Sequence, residues 1–169
     1  MKKVLVLLCL VAGLGVSQAQ GFKAGFAAGY VSEIASVSGS VDLIYELSDK
    51  WGISNTTMFT VNDLPNNDNL KWFALDLNAR YKIYDELYAL AGGQLLLESL
   101  VEKTFIGGFV SGESTVRNSE IGANVGIGYK YHIISNVNVF AEVKYTFLNS
   151  EPVNSSGYIH SRLGLVFDF

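Results

Sequence analysis

Apolar and polar residues alternate along most of this chain with a period of two, the spacing of a strand whose side chains point to opposite faces. The clearest run is Ile121, Ala123, Val125, Ile127, Tyr129, Tyr131 and Ile133. Between them stand Gly122, Asn124, Gly126, Gly128, Lys130 and His132. Val137, Val139, Ala141, Val143, Tyr145 and Phe147 repeat the pattern, and Ile159, Leu163, Leu165, Phe167 and Phe169 carry it to the last residue. The same alternation runs through Phe22–Tyr30, Val41–Leu47 and Phe73–Tyr81. Residues 52–61 are weaker but rich in Thr and β-branched side chains, and 87–98 are apolar on both faces, with Gln94 and Glu98 marking the even positions as inward.

This pattern predicts eight strands, at 22–31, 40–48, 51–62, 70–83, 87–98, 119–133, 137–148 and 158–169. The predicted connections alternate in length. Ser48-Asp49-Lys50, Tyr84-Asp85-Glu86 and Ile134-Ser135-Asn136 are tight turns, whereas 32–39, 63–69, 99–118 and 149–157 are longer and polar. Short turns at one end and long loops at the other describe an up-and-down antiparallel barrel in an outer membrane, with turns toward the periplasm and loops outside. On that orientation Phe22, Trp51, Tyr81, Tyr129, Tyr131, Phe167 and Phe169 fall at the periplasmic rim. Tyr30, Phe59, Trp72, Phe73, Tyr145 and Phe147 fall at the outer rim, giving the two aromatic belts expected at bilayer interfaces.

Residues 1–19 stand apart from this pattern. Met1-Lys2-Lys3 is a short cationic start, Val4–Val16 is apolar and uncharged, and Ser17-Gln18-Ala19 offers small residues for cleavage. These are the three parts of a secretory signal peptide, and the apolar run is too short for a membrane-spanning helix. Cleavage after Ala19 is expected to leave a single barrel domain, 20–169. Cys9, the only cysteine, leaves with the leader, so no disulfide, thiolate nucleophile or Cys-based metal site is expected. The mature chain carries ten basic and sixteen acidic residues, a formal charge of −6, and nothing in it suggests a nucleic-acid partner.

Alternation alone does not say which face meets the lumen, since a soluble barrel has its apolar face inside. Charge content decides it. The polar faces hold many glycines and a nearly balanced set of charges, Lys23, Asp42, Glu46, Asp76, Arg80, Glu98, Lys130, Glu142, Lys144, Arg162 and Asp168. Small residues and paired charges suit the narrow lumen of eight strands and make a poor solvated surface.

Signal peptide, eight strands, alternating connections and an aromatic last residue resemble the small outer-membrane barrels of the OmpX, OmpA membrane-domain and opacity-protein type, over essentially all of 20–169. The resemblance implies that the last strand, with Phe169, Phe167, Leu165 and Leu163, is the sorting signal read by the barrel-assembly machinery. It fixes architecture better than activity. The location it implies is the outer membrane of a Gram-negative bacterium, with outer-membrane lipids as neighbours.

Three candidate activities follow. Buried charges need partners, so Asp42, Glu46, Asp76, Arg80, Glu142, Lys144 and Arg162 are expected to form an ion-pair network that plugs the lumen; a narrow, porin-like ion path is the alternative. Gly107-Gly108 is a hairpin-turn pair between apolar flanks, so the segment 99–118 either extends strands 5 and 6 as a protruding hairpin or folds over the barrel mouth. An exposed strand edge can template pairing, which makes this segment the candidate contact for a surface protein or ligand. A lipid-modifying enzyme of His-Ser-acid type is the least favoured class. Ser161 follows His160 directly and so faces away from it, and His132 lies near the opposite end of the barrel. No catalytic residue, cofactor or metal site is assigned.

Overall fold

The computed structural model describes residues 21–63, 69–106, 109–148 and 157–169, with side chains described for all of these except 63, 102–106, 109–111 and 113. The expected leader, 1–19, lies outside the described residues.

Eight strands form: β1 (Phe22–Val31), β2 (Ser36–Glu46), β3 (Trp51–Asp63), β4 (Asn69–Tyr84), β5 (Leu87–Ile106), β6 (Phe109–Ile134), β7 (Val137–Leu148) and β8 (Gly157–Asp168). Each pairs antiparallel with its neighbours in sequence, and β8 pairs back onto β1 to close the barrel. The path of paired residues Phe22, Tyr45, Ile53, Ala79, Ala91, Val125, Tyr145 and Ile159 does not return to Phe22. It arrives at Ser32, whose amide donates to the Ile159 carbonyl at 3.0 Å, just past the far end of β1. That offset is the stagger of a barrel with strongly tilted strands.

The alternation read from the sequence sorts the side chains. Along β7, Asn138, Phe140, Glu142, Lys144 and Thr146 are buried while Ala141, Val143 and Phe147 are exposed. In β5, Tyr88, Leu90, Gln94 and Leu96 are buried and Leu95 and Leu97 exposed, so even positions face the lumen. The outer surface is a band of apolar side chains, among them Val41, Leu77, Ile121, Val125 and Leu163, the last of these 61 % exposed. The polarity is inverted relative to a water-soluble protein.

Aromatic residues pack in pairs along the outer surface. At the turn end, the rings of Trp51 and Tyr81 are 4.8 Å apart and those of Phe22 and Phe169 6.1 Å apart. At the loop end, Tyr145 and Phe147 meet edge-on at 4.6 Å. Trp72 corrects the expected belt. It sits at an even position of β4, is 5 % exposed and stacks 5.4 Å from Tyr158 inside the barrel, while Phe73 takes the outward place.

Two boundaries also differ from the expected ones. The connection expected at 32–39 contracts to a turn, with Ala35 at a φ of 48°, because the Ser36, Val37, Ser38, Gly39 run already alternates inward and outward. Ser36 is held there by Thr60, whose hydroxyl donates to Ser36 Oγ at 3.0 Å. The second difference is the length of β5 and β6, which run past the expected ends at 98 and 119, in line with the strand-extension alternative for 99–118.

Candidate functional site: the lumen and the surface hairpin

Inward-facing residues stack in layers along the barrel axis. In the middle, Arg162 on β8 reaches two acids. Its Nη1 donates to Asp42 Oδ1 and Oδ2 at 2.7 and 2.8 Å, and its Nε and Nη2 lie 2.8 and 2.6 Å from Glu142 Oε1. Each carboxylate has a second support. Thr56 donates its hydroxyl to Asp42, and Tyr88 donates to Glu142 Oε2 at 3.0 Å. Beside this group Lys144 pairs with Asp76, which also accepts from Gln94 Nε2 at 2.6 Å; Tyr158 donates to Gln94 Oε1 at 2.7 Å. Asp42, Asp76, Glu142 and Lys144 are each at most 3 % exposed, so these charges are held by one another and by hydrogen bonds rather than by solvent.

Of the seven residues expected in one network, the structure brings Asp42, Glu142 and Arg162 into direct contact and sets the Lys144–Asp76 pair next to them. Arg80 lies at the edge, its Nη2 4.0 Å from Glu142 Oε2 and its guanidinium 3.9 Å over the Tyr88 ring. Glu46 does not join them. It sits at the turn end, half-exposed, where it pairs with Lys23 at 2.9 Å and Lys130 at 3.9 Å. The reason is register: Glu46 opposes Gly52 at the last pair of β2 and β3, whereas Asp42 opposes Thr56 deeper in the barrel.

Above the charges, toward the loop end, lies a layer that alternation did not reveal. Val31, Ile34, Met58, Trp72, Ala74, Leu96 and Tyr158 form a buried apolar cluster inside the lumen, with Leu70 and Leu148 packed against it. Ala27, Ile44, Phe140 and Val166 make a smaller one on the turn side. Apolar residues at inward positions were the available signal, and Met58, Leu96 and Trp72 all share parity with polar inward residues. Glycines permit the filling: a Cβ on Gly128 would collide with the Tyr88 ring, and one on Gly29 would stand 2.7 Å from His160 Nε2.

The two histidines are far apart in role. His160 is 1 % exposed and its Nε2 lies 2.9 Å from Ser38 Oγ, a hydroxyl from β2 that the sequence did not single out. Its Nδ1 has no hydrogen-bond partner among the described residues. Ser161 faces outward, opposite Val143 and Tyr30. His132 is exposed near the turns and its Nδ1 meets Asn138 Oδ1 at 2.9 Å. Among the described residues no group of His, Cys, Asp and Glu could hold a metal ion.

At the loop end, β5 and β6 outrun their neighbours. The last pair of β4 with β5 is Asn69 with Val101, and the last pair of β7 with β6 is Leu148 with Gly122. Beyond these, β5 and β6 continue to pair with each other as far as Ile106 with Phe109. Gly107 and Gly108, the expected turn, lie outside the described residues. Among the described residues, only the opposite arm pairs with 109–121 of β6, and Ser114 to Ser119 are exposed. The described part of the segment is thus paired as a two-stranded arm. At the other end of the sequence, Leu163, Leu165 and Phe167 share one parity of β8, Phe169 follows the strand with the same parity, and the Phe169 amide donates to the Phe22 carbonyl at 3.2 Å.

No protein-family model and no curated protein matches the chain. Solved structures do. A major outer membrane protein from Thermus thermophilus superimposes with a TM-score of 0.76 at 13 % identity, covering 90 % of this chain and 100 % of that one. The N-terminal β-barrel domain of Pseudomonas aeruginosa OprF gives 0.56 at 17 % identity, covering 89 % and 100 %. Ail, the attachment invasion locus protein of Yersinia pestis, gives 0.57 at 15 % identity, covering 88 % and 97 %. The fold is that of the small eight-stranded outer-membrane barrels.

Proposed function

We propose that this chain is an exported, integral outer-membrane barrel with a closed lumen, and that its working part is the arm formed by β5 and β6 on the cell surface. The observation that carries the reading is the inverted polarity. Buried Arg162, Lys144, Asp42, Asp76 and Glu142 line the inside, while Val41, Leu77, Val125 and Leu163 face out between two sets of aromatic residues. That arrangement is stable in a bilayer and aggregation-prone in water. The leader read at 1–19 supports export, and the parity they share supports Phe169, Phe167, Leu165 and Leu163 as an assembly signal for the barrel-assembly machinery.

The stacked apolar and charged layers support a plugged lumen and weigh against a narrow channel. The arm supports a contact role. Its β6 edge beyond Ile121 carries backbone groups that pair with no other described strand, the geometry on which an extended segment of a partner can add. The similar structure from Yersinia pestis is an attachment protein by name, which agrees with this class of role.

The location is checked by fractionation: the folded chain is expected in the outer-membrane fraction, migrating differently on gels before and after heating. A chain found only in the soluble periplasm would sink the reading. Planar-bilayer recordings are expected to give no stable open steps, and reproducible steps would restore the channel. Deleting 101–114 is expected to abolish binding of whole cells to surface partners while leaving the barrel folded; unchanged binding would remove the arm as the working part.

A further inference from the structure

Below the charged layer, the lumen widens at the turn end into a cavity of about 420 Å³. Its walls carry Lys23, Lys50, Arg80, Lys82 and Lys130 against Glu46, Asp49 and Glu86, and its apolar floor includes Ile44, Phe140 and Val166. The lining therefore holds two more cations than anions.

Most of these charges are committed to one another. Lys23 bridges Glu46 and Asp168 at 2.9 and 3.1 Å. Glu86 is held between Lys82 at 3.3 Å and Lys130 at 3.1 Å. Among the described residues Lys50 and Asp49 make no ion pair, and Arg80 keeps only a long one. Its nearest carboxylate, Glu142, already receives Arg162 at 2.6 Å and Tyr88 at 3.0 Å, which leaves Arg80 at 4.0 Å, beyond hydrogen-bond range. No group among the described residues accepts a hydrogen bond from the Arg80 guanidinium. Its Cζ lies 3.9 Å over the Tyr88 ring, a cation–π contact that holds the group without using its N–H donors. Those donors form the planar fork that grips two oxygens of one oxyanion.

We propose that this vestibule is an oxyanion-binding site, in which Arg80 would take a phosphate-class group and the Ile44, Phe140 and Val166 floor would receive an uncharged apolar body attached to it. A bare phosphate would leave much of the volume unfilled, so a small organic phosphate is the fitting class. Lys50 and Lys82 at the rim would supply general attraction rather than geometry. Only the compartment the site faces, the periplasm, rests on the membrane reading; the chemistry does not.

The test uses the purified full barrel folded in detergent micelles, so it is independent of cellular location. Phenyl phosphate and inorganic phosphate are titrated at low ionic strength and followed by calorimetry and amide NMR. Saturable binding is expected for phenyl phosphate, weaker binding for inorganic phosphate, with shifts at the turn-end residues. Arg80→Gln is expected to weaken phenyl phosphate binding tenfold or more, since hydrogen bonds to a charged group are lost. Arg80→Lys, which keeps the charge and loses the fork, is expected to fall between, and Lys50→Gln is expected to cost only about twofold. Heat-dependent gel migration checks that each variant is folded; should Arg80→Gln not fold, Arg80→Lys against Lys50→Gln carries the comparison. Absence of saturable binding, or equal losses from the Arg80 and Lys50 variants, overturns the site and leaves only diffuse charge attraction.

Discussion

Arg162 and Asp42 are separated by 120 residues and meet inside the barrel, with Nη1 2.7 Å from Oδ1. The same guanidinium also holds Glu142, so one cation is shared between two buried acids. Arg162→Met is therefore expected to destabilise the barrel by about 3–5 kcal/mol, the usual effect of leaving a buried charge uncompensated. Urea titration of the barrel in lipid or detergent measures it. Neutralising all three residues together, as Arg162→Met with Asp42→Asn and Glu142→Gln, is expected to recover much of that loss. A loss below about 1 kcal/mol for Arg162→Met would mean that solvent reaches the lumen and screens the acids.

Orientation is open to a direct check, because the mature chain read from the sequence has no cysteine of its own. Ser114→Cys places a thiol on the exposed part of the β6 arm, and Asp49→Cys places one in the turn between β2 and β3. An impermeant maleimide added to intact cells is expected to label the first and to reach the second only after the outer membrane is opened. The reverse pattern would turn the barrel over and move the vestibule to the surface.

The turn end also makes a pH prediction. Burial alone would raise the Glu86 carboxyl, but the hydrogen bonds and charges of Lys130 and then Lys82 outweigh it and hold the group below the usual carboxylate range. A carboxyl whose pKa is lower folded than unfolded stabilises the folded state above its unfolded pKa. That contribution disappears as pH falls through the lower, folded value. Glu86→Gln is thus expected to be less stable than the parent at neutral pH, with the gap closing only below roughly pH 4. Paired urea titrations across pH measure the gap. A gap that persists at the acid end would assign the effect to packing rather than to charge.

How much of this was legible in the sequence depends on what each feature needs. Strand number and facing followed from parity, because Glu142, Lys144 and Arg162 alternate with Val143, Ser161 and Leu163 whatever their partners are. Pairing across the lumen did not follow. Glu46 has the same parity as Asp42, yet four residues along a tilted strand separate a rim ion pair with Lys23 from the central one with Arg162. The apolar plug was hidden for a related reason. Met58, Trp72 and Leu96 break the inward-polar rule, and only their convergence from three strands shows that they form one layer. Ser38 meets His160 because β1, the strand between them, has glycine at Gly29, where any side chain would collide with the ring. In the arm, the polar run Ser114 to Ser119 lacks the one-sided alternation of a barrel wall because both of its faces are exposed, so its strand character was the harder feature to read.

The last residue separates folding from assembly. Phe169 is 70 % exposed, and its ring lies 6.1 Å from Phe22 on the outward surface, so it buries little. Its backbone does more for closure, since its amide donates to the Phe22 carbonyl at 3.2 Å and any residue there can make that bond. Phe169→Ala is accordingly expected to change the stability of the refolded barrel by no more than about 1 kcal/mol, within the range of surface substitutions and weak aromatic pairs. If the side chain is read during insertion, the same variant is expected to accumulate unfolded in cells, with a several-fold smaller heat-modifiable fraction in the outer membrane. Phe167→Ala, on the same face and 5.9 Å from Phe26, serves as the comparison for a packed ring. It is expected to lower stability measurably in the refolded protein as well. Equal cellular assembly of the parent and Phe169→Ala would remove the terminal ring as a signal and leave it as one more aromatic of the turn-end belt.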